Sequence, residues 1–512
     1  MVAPIRRRAR RPRASEPSVS TEPRRTVAEP PDSPAPGAKA LSARVLALAL
    51  AGALGGFLFG FDSSVVNGAV GAIEGQFGLD PAITGFAVAS ALLGCAVGAY
   101  FAGRLANRWG RIPVMLVGAV LFLSSSIGAG LAFGVADLVI WRIIGGLGIG
   151  IASVTAPTYI AEIAPRKIRG RLASLQQLAI TIGIFAALLS NAVLANSAGG
   201  AAQQLWLGLP AWRWMFLVGA VPAVVYGVVA LVIPESPRFL MMKGKEEKAR
   251  EVLATIVAPE EMDRELRDIR EALKDEEIGR SGSLKGSLLG LKPIVWVGIA
   301  AGMLQQFVGI NAIFYYSTTL WQSVGFTESD SFTISVVTGL VNIAVTFIAI
   351  GLVDRIGRRL LLLIGSSGMI VTLATLALSF SQSVEVDGAP SLPGAWGPIA
   401  LVAANLYVVF FGATWGPVLW VLLGEIFPTR LRGKAMGVAT GMHWIANFIV
   451  STSFPVVADV SLGLAYGIFT AFAVISLLFV KLFLPETNGL SLEQADTLLP
   501  TTRSSERYRR RS

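Results

Sequence analysis

GRLANRWGR at residues 103–111 and GLVDRIGRR at 351–359 are one charged phrase met twice, and EIAPRKIRGR at 162–171 returns as EIFPTRLRGK at 425–434, in the same order. The chain is a duplication. Each phrase lies between two long apolar segments, so each half repeats one series of membrane spans with its loops on one side, the parallel repeat of a two-lobed carrier. A substrate site is expected between the lobes.

Composition leads to the same place. Of 512 residues, 53% are hydrophobic and 15% charged, with mean hydropathy +0.63, too apolar for soluble domains with ordinary polar surfaces. A span needs about 20 mainly apolar residues to cross a core roughly 30 Å thick. Twelve such segments can be placed: 43–67, 82–103, 112–133, 137–160, 171–194, 212–233, 293–320, 331–353, 360–380, 397–423, 433–456 and 461–484. The expected class is an all-α membrane protein of two six-helix bundles, 43–233 and 293–484. A polar tail (1–42), a cytoplasmic helical linker (234–292) and a C-terminal tail (485–512) complete it.

Basic residues orient the spans. Of the 43 Lys and Arg, 41 fall on the side shared by the two termini, which predicts that both termini are cytoplasmic. The exceptions are Arg213, at the mouth of the sixth span, and Arg142, inside the fourth. The net charge of +10 is therefore a topology signal, and no nucleic-acid partner is expected. The tail 1–42 is rich in Arg, Pro and Ser without an apolar run, so it is expected to be disordered. The stretch 234–292 carries acids and bases at helical spacing and reads as two or three short helices, either a solvated face or a brace against the lobes. Cys95 is the only cysteine and reads as a packing residue.

Asp62 and Arg142 are ionisable groups of opposite sign placed well inside spans, each about five residues, or roughly 7 Å, from the same side of the membrane. A lone charge there costs about 2.5–3.5 kcal/mol on insertion scales, which predicts that the two face each other. Burial and a neighbouring guanidinium act oppositely on a carboxyl's proton affinity, so moving the Arg switches that affinity. This is a requirement for coupling proton movement to a conformational cycle. The alternative is a static tie between spans one and four.

Uncharged polar side chains collect in other spans: Gln177 in the fifth, Gln305, Gln306 and Asn311 in the seventh, Asn342 in the eighth, His443 and Asn447 in the eleventh. Hydrocarbon cannot satisfy amides, so they are expected to point inward. Amides donate and accept, which suits a neutral polyhydroxylated ligand, and Trp420, Phe59, Phe314, Tyr315 and Tyr316 offer apolar walls. Trp415-Gly416-Pro417 breaks span ten just before Trp420. Gly145, Gly146, Gly148 and Gly150 follow no strand, so close helix packing explains them better than a dinucleotide loop.

Enzyme chemistry finds little footing. No GxxxxGK[ST] loop occurs, and one histidine rules out HExxH. No cofactor and no metal are expected.

Together GRLANRWGR, RIIGGLGIG (142–150), PESPR (234–238), QQFVGINAIFYYS (305–317), GLVDRIGRR, GPVLWVLLGEIFPTRLRG (416–433) and PET (485–487) resemble the sugar porter family of the major facilitator superfamily over residues 45–495. The resemblance implies alternating access and a monosaccharide held by Gln177, Gln305, Gln306, Asn311 and Trp420. It also implies ion pairs on the cytoplasmic face, drawn from Arg104, Arg108, Glu162 and Arg169 with Asp354, Arg358, Glu425 and Arg432, that latch an outward-open state. Asp at position 62 resembles the proton symporters, and His443 departs from the amide usual before the span-eleven Trp444. The expected protein is a monomeric plasma-membrane proton–monosaccharide symporter. A proton-independent facilitator and a sugar sensor are the alternatives; the short segment after Leu484 counts against the sensor.

Overall fold

The computed structural model describes residues 36–164, 169–277, 284–386, 389–427, 431–484 and 486. Of the expected tails the structure describes only 36–42, the start of a first helix that begins at Pro36 rather than 43, and Glu486.

Eleven helices among the described residues are long and apolar enough to cross a bilayer. Spans one to six are Ala43–Gly68, Pro81–Trp109, Arg111–Gly130, Val135–Ile163, Ser174–Ala198 and Ala211–Val232. Spans seven to ten are Pro293–Gln322, Glu328–Leu352, Arg358–Ser381 and Trp396–Ile426, and Leu462–Phe483 is the twelfth. The eleventh, Arg432–Val460, is as long at 29 residues, but His443, Asn447 and the Ser451-Thr452-Ser453 run dilute its apolar character. The polarity that marks it as functional is what weakens its signature as a span.

Each lobe packs by the same rule. Spans one and five pair, as do seven and eleven; three and six pair, as do nine and twelve. The lobes meet where span two crosses eleven and span eight crosses five, two contacts that the duplication exchanges. Span two begins on an Asp80 cap, whose carboxylate accepts from the Ile83 amide at 2.8 Å, with Pro81 as the first helical residue. Small residues let spans two and four approach: a Cβ at Gly146 or Gly150 would strike the Ala91 or Cys95 carbonyl.

Two spans are interrupted. The seventh, expected to be continuous, stops at Phe307 and restarts at Ile310 through Gly309 (φ 84°), where any side chain would also run into the Phe469 ring. The Val308 carbonyl freed by the break accepts from the Tyr407 hydroxyl at 2.8 Å. The tenth breaks at Thr414 (φ −130°, ψ −85°), directly before the Trp-Gly-Pro run.

The linker forms three helices, Pro237–Met242, Glu246–Leu253 and Pro259–Glu277. Leu253, Ile256, Val257 and Leu266 are buried against Val45, Leu48, Tyr159 and Ile163 of the N-terminal lobe. Its charged side is tied by Arg250–Asp263 at 2.9 Å and Arg270–Glu246 at 2.6 Å, both exposed. The linker thus packs on the N-terminal lobe.

Candidate functional site: a buried ion pair and an amide network

Arg142 Nη1 donates to Asp62 Oδ1 at 2.9 Å, and the two residues are 4% and 6% exposed. The two charges of spans one and four face each other, as the cost of a lone charge there predicts. Around the guanidinium stand the Val88 carbonyl, 3.5 Å from Nη2, and the Phe216 ring, 5.8 Å away. A small cavity beside Asp62 is lined by Phe59, Cys95 and Arg142 from the N-terminal lobe and by Tyr315 from the other.

On the C-terminal side of the lobe interface the amides form a network. Gln305 Nε2 donates to the Trp415 carbonyl at 2.8 Å and reaches that of Gly416 at 3.3 Å, so the break in span ten is met by a side chain of span seven. Gln306 is the node: its Oε1 accepts from Asn311 Nδ2 at 2.6 Å, while its Nε2 faces His443 Nε2 at 3.1 Å and Gln305 Oε1 at 3.4 Å. The kink at Gly309 is what brings Asn311 back to Gln306. His443 sits between Trp420 and Trp444, at ring separations of 5.1 and 5.5 Å. Phe59 packs edge-on to Trp444 at 5.5 Å from the opposite lobe. One turn beyond His443, Asn447 accepts the Ser451 hydroxyl on its Oδ1 at 3.1 Å, and its side chain is hydrogen-bonded to the Tyr315 hydroxyl.

Other expected residues lie apart from this network. Gln177 is half-buried and Asn342 lies near Gly412; neither side chain bonds to the network among the described residues. The Tyr316 hydroxyl donates to the Ser451 carbonyl at 2.7 Å and its ring packs on Phe454, so it belongs to the C-terminal core. Phe314 is likewise buried.

On the face that the expected outward-open latch would close, the present pairs lie within each lobe. Arg111, not Arg104 or Arg108, holds Glu162, at 2.6 Å, with Arg238 at 4.0 Å. Arg104 is exposed and lies over the Tyr100 ring, and Arg108 is exposed. In the second lobe Arg358 holds Glu425 at 2.9 and 3.1 Å. The side chains of Arg169, Asp354 and Arg432 lie outside the described residues.

Sequence reading missed the partners behind these pairs. Glu235, in PESPR, accepts from the Arg111 and Ile112 amides at 3.0 and 3.2 Å; Glu486, in PET, accepts from the Arg358 and Arg359 amides at 2.9 and 3.1 Å. Each carboxylate caps a helix whose preceding glycine, Gly110 (φ 106°) or Gly357 (φ 93°), leaves it room. The structural register of the repeat thus aligns Arg111 with Arg358. Glu235→Ala should cost about 1–2 kcal/mol, the loss of a helix cap, read as a lower midpoint of thermal unfolding.

On the opposite face the lobes are closed on each other. Asn67 Nδ2 donates to the Phe314 carbonyl at 2.9 Å; its Oδ1 accepts from the Thr318 amide at 3.3 Å and from the Thr318 hydroxyl. Glu328, at the start of span eight, accepts from the Ala201 amide at 2.8 Å. Nearby, partial burial and then the Asp459 carboxylate of the other lobe raise Glu74 above the usual carboxylate range.

Two pseudo-equivalent lobes, sealed on one side and enclosing polar groups at mid-membrane, define a secondary transporter. The model of the family described as sugar (and other) transporter matches residues 48–499, and the chain belongs to that family. It is 52% identical to the glucose transport protein of a Synechocystis strain over 88% of this chain and 96% of that one. It is 34% identical to the D-xylose-proton symporter of Escherichia coli, over 89% of this chain and 96% of that one. The inward-open structure of the Escherichia coli xylose transporter superposes with a TM-score of 0.76 at 34% identity, covering 89% of this chain and all of that one. The protein is a multi-pass membrane transporter of the major facilitator fold, not an enzyme.

Proposed function

We propose that the protein imports a monosaccharide across the plasma membrane by proton symport with alternating access, both termini being cytoplasmic. The observation that carries this reading is the buried Asp62–Arg142 pair, whose cavity is bordered by Tyr315 of the lobe that holds the amide network. Tyr315 borders the Asp62 cavity and bonds Asn447, which sits one helical turn from His443. A change at the acid is thus passed to the groups that face the sugar, and a change in sugar contacts is passed back. Relatives named as glucose and xylose-proton carriers support the substrate class.

In this scheme Gln305, Gln306, Asn311 and His443 exchange hydrogen bonds with sugar hydroxyls while Trp420, Phe59 and Tyr315 supply the walls. Gln177 and Asn342 join from the flanking spans. The protonated acid loses its hold on Arg142, which frees span one from span four. The Glu162–Arg111 and Glu425–Arg358 pairs rest within each lobe in the present state, and the remaining basic residues, Arg104, Arg108, Arg169 and Arg432 among them, meet acids across the lobes when that face closes. Uptake into proteoliposomes with and without an imposed pH difference tests the reading. Accumulation above equilibrium supports it, equilibration alone indicates a facilitator, and binding without flux indicates a sensor.

The closed face sets the opening equilibrium. Asn67→Ala removes its contacts to Phe314 and Thr318, each worth about 1 kcal/mol. The outward-facing population should rise, and the external sugar KM in proteoliposome uptake should fall by up to about tenfold.

A further inference from the structure

We infer that Thr84 is a positioning residue for proton coupling: across a water-sized gap its hydroxyl offers the Arg142 guanidinium an alternative partner when Asp62 takes a proton. The inference rests on the proton reading of Asp62. A second cavity also borders Arg142 and is walled by the N-terminal lobe alone, by Val66, Val70, Leu138, Phe216, Thr84 and Arg142 among others. Every wall residue but Thr84 and Arg142 is apolar.

Both polar members are 4% exposed, and both carry an atom, Thr84 Oγ1 and Arg142 Nε, without a hydrogen-bond partner among the described residues. Buried polar groups are rarely left so, and the gap has room for about one water, which needs polar partners to stay there. Thr84 also stands one turn inside Asp80, the exposed cap of span two, whose carbonyl accepts the Thr84 amide at 2.9 Å. The hydroxyl therefore lies between the closed face and the ion pair.

The chemistry is a proton transfer with nothing else gained or lost. A proton from water binds an Asp62 carboxylate oxygen, and the acid becomes neutral. Arg142 then keeps its charge and loses its counter-ion in a site that offers only the Val88 carbonyl and the Phe216 ring besides. Other titratable groups facing the pair are Cys95 of span two and Tyr315 and Tyr316 of span seven, none of which supplies a second anion at neutral pH. An acceptor on the Thr84 side stabilises the turned guanidinium and so favours protonation of Asp62.

Thr84→Val keeps the shape and removes the hydroxyl; Thr84→Ser keeps the hydroxyl. In proteoliposomes, Thr84→Val should move the pH of half-maximal proton-driven uptake down by about one unit, a tenfold fall in apparent proton affinity. Sugar exchange at equal pH should stay unchanged, and Thr84→Ser should restore the profile. A wild-type pH profile in Thr84→Val overturns the inference, as does equal loss of exchange and uptake, which marks a packing role. Asp62→Asn, run beside it, separates the two readings: if that variant still accumulates sugar on an imposed pH difference, the proton reading itself falls. If it loses accumulation while Thr84→Val behaves as wild type, only the role of Thr84 falls.

Discussion

Asp62→Asn should reduce proton-driven accumulation to simple equilibration, an accumulation ratio of about one, while sugar exchange at equal pH persists within a few-fold. The amide fills the same volume and stands in for the neutral, protonated acid, so the site stays packed while the charge that holds Arg142 is gone. What it cannot do is titrate, and without two protonation states the cycle has no term by which a pH difference biases it. Uptake by the wild-type protein should fall as external pH rises, because the proton donor becomes scarce; in Asp62→Asn that dependence should vanish. Arg142→Leu is a harsher change. It leaves the acid buried without its partner, a loss of about 3–5 kcal/mol for a buried pair broken on one side, and low yield of folded protein is expected alongside lost accumulation.

Gln306→Leu should raise the sugar KM about 100-fold in counterflow. Gln306 joins Gln305, Asn311 and His443, and an apolar side chain there strands the Asn311 amide and the His443 ring together. Each stranded buried group costs about 1–3 kcal/mol unless it finds water or sugar. A 100-fold change corresponds to about 2.7 kcal/mol, within reach of two such losses. Proton movement driven by the pH gradient should remain detectable, since Asp62 and Arg142 are untouched. A KM within threefold of wild type would remove Gln306 from the sugar site.

Much of this was legible in the chain. Apolar length and the repeated charged phrases specify the spans and the two lobes, because crossing hydrocarbon demands about 20 apolar residues whatever the neighbours are. The depth of Asp62 and Arg142 followed from counting residues along straight helices, and their pairing followed from the cost of an unpaired charge there. The amides were found because hydrocarbon cannot satisfy a side chain that must both donate and accept.

Only the tertiary structure decided which partners meet. Arg104, Arg108 and Arg111 look equivalent as a run, but the helix ends at Trp109, the chain turns at Gly110, and Arg111 opens the next helix with its side chain toward Glu162. Gln305 and Gln306 are adjacent letters, yet about 100° apart around the helix, so one grips the broken backbone of span ten while the other anchors the network. The kink at Gly309 and the contacts of Asn67 on the other lobe depend on segments hundreds of residues apart in sequence. Local pattern specifies what must be buried; the direction in which a buried group points is set by the turn that precedes it and by the helix it meets.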